Sequence, residues 1–208
     1  VSGGLLLVGA SGLAREVIAA GITGVVGIVD DNEDLHGGDI EGVPVVGSIA
    51  DAVTRDESLL VCVGPSASRR NVVRRLVKFG VTQERFAIYV ARSARIGASS
   101  EIGPGSILLD GAVVTANATI GHHVVVMPNS TITHDCVLED FATLASGVSL
   151  GGGTRIREAA YIGMNASIRQ GVTIGREATV GMGAAVLADV PKEQTWAGVP
   201  ARPLEVSE

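Results

Sequence analysis

Counting in sixes from Ile96 lands on an aliphatic residue sixteen times in succession, through Ile102, Leu108, Val114, Ile120 and onward to Val186. Val90 extends the series backward and Lys192 ends it. Four residues after each hit the side chain is small, as at Ser106, Ala118, Ser130, Cys136, Ala142 and Ala160. Glycine directly follows the hit at Gly97, Gly103, Gly121, Gly151, Gly163, Gly175 and Gly181. A helix repeats at about 3.6 residues and cannot hold a strict six with glycines inside it. A hexapeptide period belongs to a parallel β-helix. Each hexapeptide supplies one short flat strand and a corner, and three of them close a coil of 18 residues. The aliphatic residue points inward, the small residue fits the crowded corner, and glycine relieves tight backbone geometry. Residues 90–190 then give about five and a half coils, a prism about 25 Å tall at roughly 4.8 Å per strand.

Such a narrow core has little room for rings. The composition agrees: 28 glycines in 208 residues and only 3% aromatics, against 46% apolar residues overall. An aliphatic-rich chain is not disordered, and seven prolines are too few for collagen. The net charge of −6 offers no basic face to nucleic acid. Cys62 and Cys136 lie far apart without partner spacing, so neither a disulfide scaffold nor a zinc site is expected. No apolar run is long enough for a transmembrane segment. Val1-Ser2-Gly3-Gly4-Leu5 leads straight into a strand-like run without a basic n-region, so no signal peptide is expected and a cytoplasmic location is.

The first half alternates strands and helices, the pattern of a small open parallel α/β domain. Strands are expected at Leu5–Val8, Val25–Val29, Val43–Gly47 and Leu59–Val63. One helix follows Gly9-Ala10-Ser11-Gly12-Leu13-Ala14. Another runs to Phe79, capped by Ser66 or Ser68 and stopped by Gly80. Ser48 or Asp51 is expected to cap a helical turn. In such domains ligands bind at the carboxyl ends of the strands. Three loops meet there: Gly9–Leu13, Asp30-Asp31 and Gly64–Ser66. The glycine loop reads G-x-x-G-x-A, either a plain strand-to-helix turn or a cradle presenting N–H groups to an anion. The expected organisation is an α/β unit over 1–88, a β-helix over 89–190 and a C-terminal segment over 191–208.

Four histidines are present, His36, His122, His123 and His134. His134 stands at a prism corner in Thr133-His134-Asp135-Cys136. Counting by 18 puts Ala116 below it and Gly152 above it, and sets Asp135 between Asn117 and Gly153. Small neighbours on both sides leave a groove, and Gly151-Gly152-Gly153 exceeds the single glycine the repeat asks for. Cys136 falls on the small-residue position and points into the prism. His122 and His134 lie on different edges, which argues against the three convergent histidines of a zinc hydratase.

A front unit with GASGLAREV, VDDN and EGVPVVG, joined to a prism containing THDC and ending AGVPARPL, resembles the sugar O- and N-acetyltransferases of the sialic-acid and bacillosamine pathways, the NeuD/PglD-like group. The resemblance spans nearly the whole chain. It implies a Rossmann-like nucleotide-sugar-binding domain followed by a left-handed parallel β-helix, the known exception to right-handed crossovers. It also implies acetyl-CoA as cosubstrate and no metal. The matching sugar-site residues are Ser11, Gly12, Leu13, Asp30, Asp31 and Gly64. Leu13 departs from members that carry His there, which loses a polar contact to substrate.

The resemblance assigns His134 as general base, Asp135 as the carboxylate that raises its basicity, and Gly152 as the backbone donor to the oxyanion. It matches Thr143, Met164 and Met182 to the acetyl-CoA site, with Arg155 as a nearby phosphate partner. Relatives often place Asn where this chain has Met127; Asn129 stands two residues on. Family members are homotrimers with sites between adjacent prisms, and Val124, Val125 and Val126 make one strand apolar on both sides. The expected reaction is N-acetylation of a nucleotide-linked 4-amino-4,6-dideoxy sugar. The alternatives are O-acetylation of sialic acid or another sugar, and a non-catalytic sugar-nucleotide binder.

Overall fold

A computed structural model describes residues 3–204. Val1 and Ser2, which precede the expected strand, and residues 205–208 of the expected C-terminal segment lie outside the described residues. In the front unit, β1 (Leu5–Val8), β2 (Val25–Val29), β3 (Asp39–Ile40), β4 (Val43–Gly47) and β5 (Ser58–Val61) form one sheet in the order β3-β4-β2-β1-β5. All pairs are parallel except the β3–β4 hairpin at the edge. That hairpin is too short to carry an alternating pattern, and sequence reasoning missed it.

Side chains of β1 alternate between two cores, as the period of two requires. Leu7, Ile28, Val45 and Leu60 pack with Leu13, Ala14 and Val17 of helix α1 (Gly12–Ala19). Leu6, Val8, Val29, Leu59 and Val61 pack with Val73 and Leu76 of helix α2 (Ser66–Lys78). Ser11 caps α1 by accepting the Leu13 N–H at 3.2 Å. The Ser48 N–H donates to Asp51 at 2.8 Å, tightening the helical turn at Ile49–Val53. At α2 the expectation fails: Pro65 holds the cap position and Ser66 is the first helical residue. The Ser66 hydroxyl instead meets the Thr143 hydroxyl at 2.8 Å. β5 also stops at Val61, two residues before the expected end.

The prism is the parallel β-helix that the period predicts. Two-residue strands pair with strands 18 positions away, as Val113↔Thr131, Thr119↔Val137 and Val125↔Thr143. Three flat faces result. The first carries Tyr89, Ile107, Val125, Thr143, Tyr161 and Thr179; the second Arg95, Val113, Thr131, Ser149 and Ser167; the third Glu101, Thr119, Val137, Arg155 and Thr173. The inward stripe is buried continuously from Leu108 to Val186. The count in sixes ends there, with Lys192 exposed, while the coil runs on out of register. Val190 bridges Ile174 and Thr195 pairs with Thr179, so the last coil is short and the hairpin Thr195–Gly198 with Ala201–Pro203 prolongs the first face.

Two kinds of glycine serve the coils. Those directly after the stripe lie under the next coil: a Cβ at Gly97 would sit 1.7 Å from the Thr115 carbonyl oxygen. A second position, three residues after the stripe, takes left-handed backbone, at Gly153 (φ 68), Asn117 (φ 53) and Asp135 (φ 58). Gly151 and Gly153 therefore both answer the repeat, and Gly152 alone is surplus.

The front unit sits on the first face. Ile107, Leu109 and Val125 of the prism share a core with Leu7, Leu13 and Leu60. Arg69 pins the joint. It is 0% exposed and donates to the carbonyls of His123, Val63, Gly64, Phe141 and Ala142 and to the Thr143 hydroxyl. Burial pulls its pKa down to about 9, which leaves it charged at neutral pH.

Candidate functional site

The His134 ring stands 67% exposed at the corner between the second and third faces, on the edge opposite the front unit. Its Nδ1 lies 2.7 Å from Asp135 Oδ2. The left-handed corner turns Asp135 back toward the ring. The His134 hydrogen bond holds the Asp135 carboxyl below the usual carboxylate range, with a smaller contribution from the Asn117 amide 3.5 Å away. An ionised carboxylate only accepts, so Nδ1 donates to it, which leaves Nε2 as the acceptor of the neutral ring. Nε2 is turned to Gly152: a Cβ there would come within 2.5 Å of both Nε2 and Cε1. The sequence arithmetic placed these three residues together, and the structure does the same.

The residues that the resemblance matched to a sugar site divide. Gly12, Leu13 and Gly64 line a cavity of about 800 Å³ between the front loops and the first prism face. Val125, Met127, Ala145 and Met164 form its opposite wall. Ser11, Asp30 and Asp31 lie outside that lining. The Ser11 hydroxyl donates to the Cys62 carbonyl. Asp30 accepts the N–H groups of Ala10 at 2.7 Å and Asn32 at 2.9 Å, locking the glycine loop to the end of β2. Asp31 accepts the Ile49 N–H and pairs with Arg75 at 2.5 Å. His36 bonds the Asp30 carbonyl at 2.8 Å.

The residues matched to acetyl-CoA are also split. Met164 and Met182 are exposed at the corner between the first and second faces, at 46% and 72%. Arg155 is exposed on the third face, beside the His134 edge. Thr143 is buried at the joint with its hydroxyl shared between Ser66 and Arg69. Met127 faces the cavity, whereas Asn129 occupies a left-handed corner (φ 60) against Gly111. His122 lies on a third edge, its N–H donating to Asp140 at 2.8 Å.

Sequence reasoning missed Arg69 and His123. Arg69 reaches the carbonyls of His123 and Phe141 in the prism, and His123 meets Phe86 of the front unit; no local motif marks such a joint.

The acetyltransferase domain of PglB from Neisseria gonorrhoeae FA1090, solved with acetyl coenzyme A, is 32% identical over 96% of this chain and 98% of that one, with a TM-score of 0.87. WeeI from Acinetobacter baumannii AYE is 30% identical over 98% and 100%, with a TM-score of 0.86. A histidine variant of GDP-perosamine N-acetyltransferase from Caulobacter crescentus, holding CoA and GDP-perosamine, is 28% identical over 99% of both chains, with a TM-score of 0.89. No protein-family model matches the chain, and no curated protein sequence matches it significantly. Among the described residues no helix is long and apolar enough to cross a membrane. From its identity to the PglB domain along almost its whole length, and from the β-helix they share, the chain belongs to the NeuD/PglD-like family of sugar acetyltransferases.

Proposed function

We propose that this protein N-acetylates a nucleotide-linked 4-amino-4,6-dideoxy sugar with acetyl-CoA, using His134 as general base. The observation that carries the reading is the His134–Asp135 pair with the free Nε2 against Gly152. The neutral imidazole accepts a proton from the sugar amine as its nitrogen bonds to the thioester carbon. The carboxylate stabilises the imidazolium that forms. The Gly152 N–H donates to the tetrahedral oxyanion. Collapse breaks the C–S bond, and the CoA thiolate takes the proton back from His134. No enzyme nucleophile is needed.

The front unit is a Rossmann-like binding domain for the nucleotide sugar, and the prism is the left-handed β-helix of the family. The cavity beneath Gly12, Leu13 and Gly64 supports the sugar site, and the GDP-perosamine held by the Caulobacter relative supports an amino-sugar nucleotide as its ligand. In one chain this cavity faces away from the His134 edge. That separation supports a site shared between copies, and we read the assembly as the family's homotrimer, with His134 of one protomer meeting the sugar pocket of its partner and CoA in the groove between prisms. Arg155, beside the His134 edge, and Met164 and Met182, at the other prism edge, then approach CoA from different protomers.

The test is a turnover screen by thiol release, offering GDP-perosamine, UDP- and dTDP-linked 4-amino sugars, and sialic acid. Turnover with a 4-amino sugar nucleotide is expected. Turnover confined to sialic acid overturns N-acetylation. Mixed trimers of His134→Ala and Gly64→Trp chains are expected to regain activity that each variant lacks alone; failure to regain it argues against a site between protomers.

A further inference from the structure

At the corner above His134, one carbonyl is held more firmly than its counterparts. The Gly151 carbonyl oxygen accepts the Thr154 N–H at 3.3 Å, the Thr154 hydroxyl at 2.5 Å and the Cys136 thiol at 3.3 Å. At equivalent corners Thr115, Gly121 and Ala145 each accept one side-chain hydroxyl, from Ser100, Ser106 and Ser130 of the coil below. Cys136 repeats that arrangement. Thr154 adds a side-chain bond from within the turn itself.

Thr154 and Cys136 are both fully buried, so the carbonyl they hold points into the prism. A trans peptide is planar, and its N–H points away from its C=O. The N–H of this peptide belongs to Gly152. It is directed outward, on the corner where the His134 ring lies against Gly152, and it donates to no group among the described residues.

We propose that Thr154 is a positioning residue for acyl transfer: together with Cys136 it locks the Gly151–Gly152 peptide so that the Gly152 N–H is aimed at the acyl oxygen. The inference rests on the reading of Gly152 as the oxyanion donor. A donor fixed before the reaction costs no reorganisation when charge develops. Thr154 never touches substrate; it acts through the peptide it anchors.

Thr154→Val removes the hydroxyl at nearly constant shape. Val124, Val148 and Val172 fill the same repeat position in other coils, so the prism accommodates the change. With acetyl-CoA and the best acceptor from the screen above, kcat is expected to fall about 5- to 30-fold, less than loss of a whole oxyanion donor. KM for acetyl-CoA and the midpoint of the pH–rate profile stay unchanged, because the His134–Asp135 pair is untouched. Thr154→Ser restores kcat. A Thr154→Val enzyme with wild-type kcat overturns the proposal. Full turnover in His134→Ala overturns the acyl-transfer reading instead, so the two failures are distinguishable. A crystal structure of Thr154→Val adds a readout independent of acceptor. A rotated 151–152 peptide is expected, and an unmoved one overturns the anchoring role.

Discussion

His123 and His134 both stand at corners of the prism, yet their surroundings differ in everything that governs a proton. His134 is open to solvent and bonded to a carboxylate, with only glycine above it. His123 is 0% exposed, packed edge-on to Phe86 at 4.6 Å and stacked on Phe141 at 5.3 Å. Neither of its ring nitrogens has a hydrogen-bond partner among the described residues. Burial first, and then the Arg69 and His122 charges, push its pKa down to about 3. One ring stands in solvent beside a carboxylate and the other is fixed as a neutral spacer in the joint. The difference teaches that standing at a prism corner does not by itself define a histidine's role: His134 is the second residue after an inward aliphatic, His123 the third, on left-handed backbone (φ 54). What stands above it and beside it decides.

Four substitutions sharpen or break this contrast. His134→Ala should remove acetyl transfer by about a thousandfold or more and leave the melting temperature unchanged; persistent turnover would return His134 to the status of a surface residue. Gly152→Ala puts a methyl into the space of the His134 ring, and thiol-release assays should show a loss of about a hundredfold with the fold intact. Arg69→Leu strands several carbonyls at the joint, and denaturant titration should show a destabilisation of about 3 kcal/mol or more. A negligible change would mean that apolar packing alone holds the units together.

The smallest effect concerns pH. The folded state keeps His123 neutral down to about pH 3, while the unfolded chain takes up the proton near the ordinary histidine value. Stability is therefore full above about pH 6.5 and falls as pH drops, by up to about 1.4 kcal/mol per unit. Carboxylates held low by partners, such as Glu177 beside Arg70, add their own loss only below the ordinary carboxylate range. His123→Phe should flatten the slope between pH 6.5 and 5. Phe141 already occupies the same left-handed corner one coil on (φ 62), so the backbone tolerates that residue. A slope unchanged in His123→Phe assigns the pH dependence to other groups.

The prism and the His134–Asp135–Gly152 cluster were legible because their geometry is a translation. Adding 18 to a residue number names its neighbour, and side-chain chemistry does the rest. The joint was not legible for the converse reason. Arg69 reaches His123, Phe141 and Thr143 across the boundary between two units with different periods, and no spacing relates them. Asp30 and Asp31 show a subtler limit. Their place at the end of β2 was correct, but the sequence does not reveal that Ala10, Asn32, Ile49 and Arg75 already engage their oxygens. Ser66 shows the same: serine before a helix suggests a cap, and a tertiary partner claimed its hydroxyl.

The register of 18 also governs how the chain tolerates changes in length. The prism is a one-dimensional lattice whose unit cell is a coil, and a whole coil inserted or excised translates everything beyond it without altering a contact within it. A single-residue insertion acts as a dislocation. It turns the inward stripe toward solvent until the end of the prism, or until a corner absorbs it. The short final coil, where Thr179 pairs with Thr195, is where the lattice ends and such a misfit is absorbed.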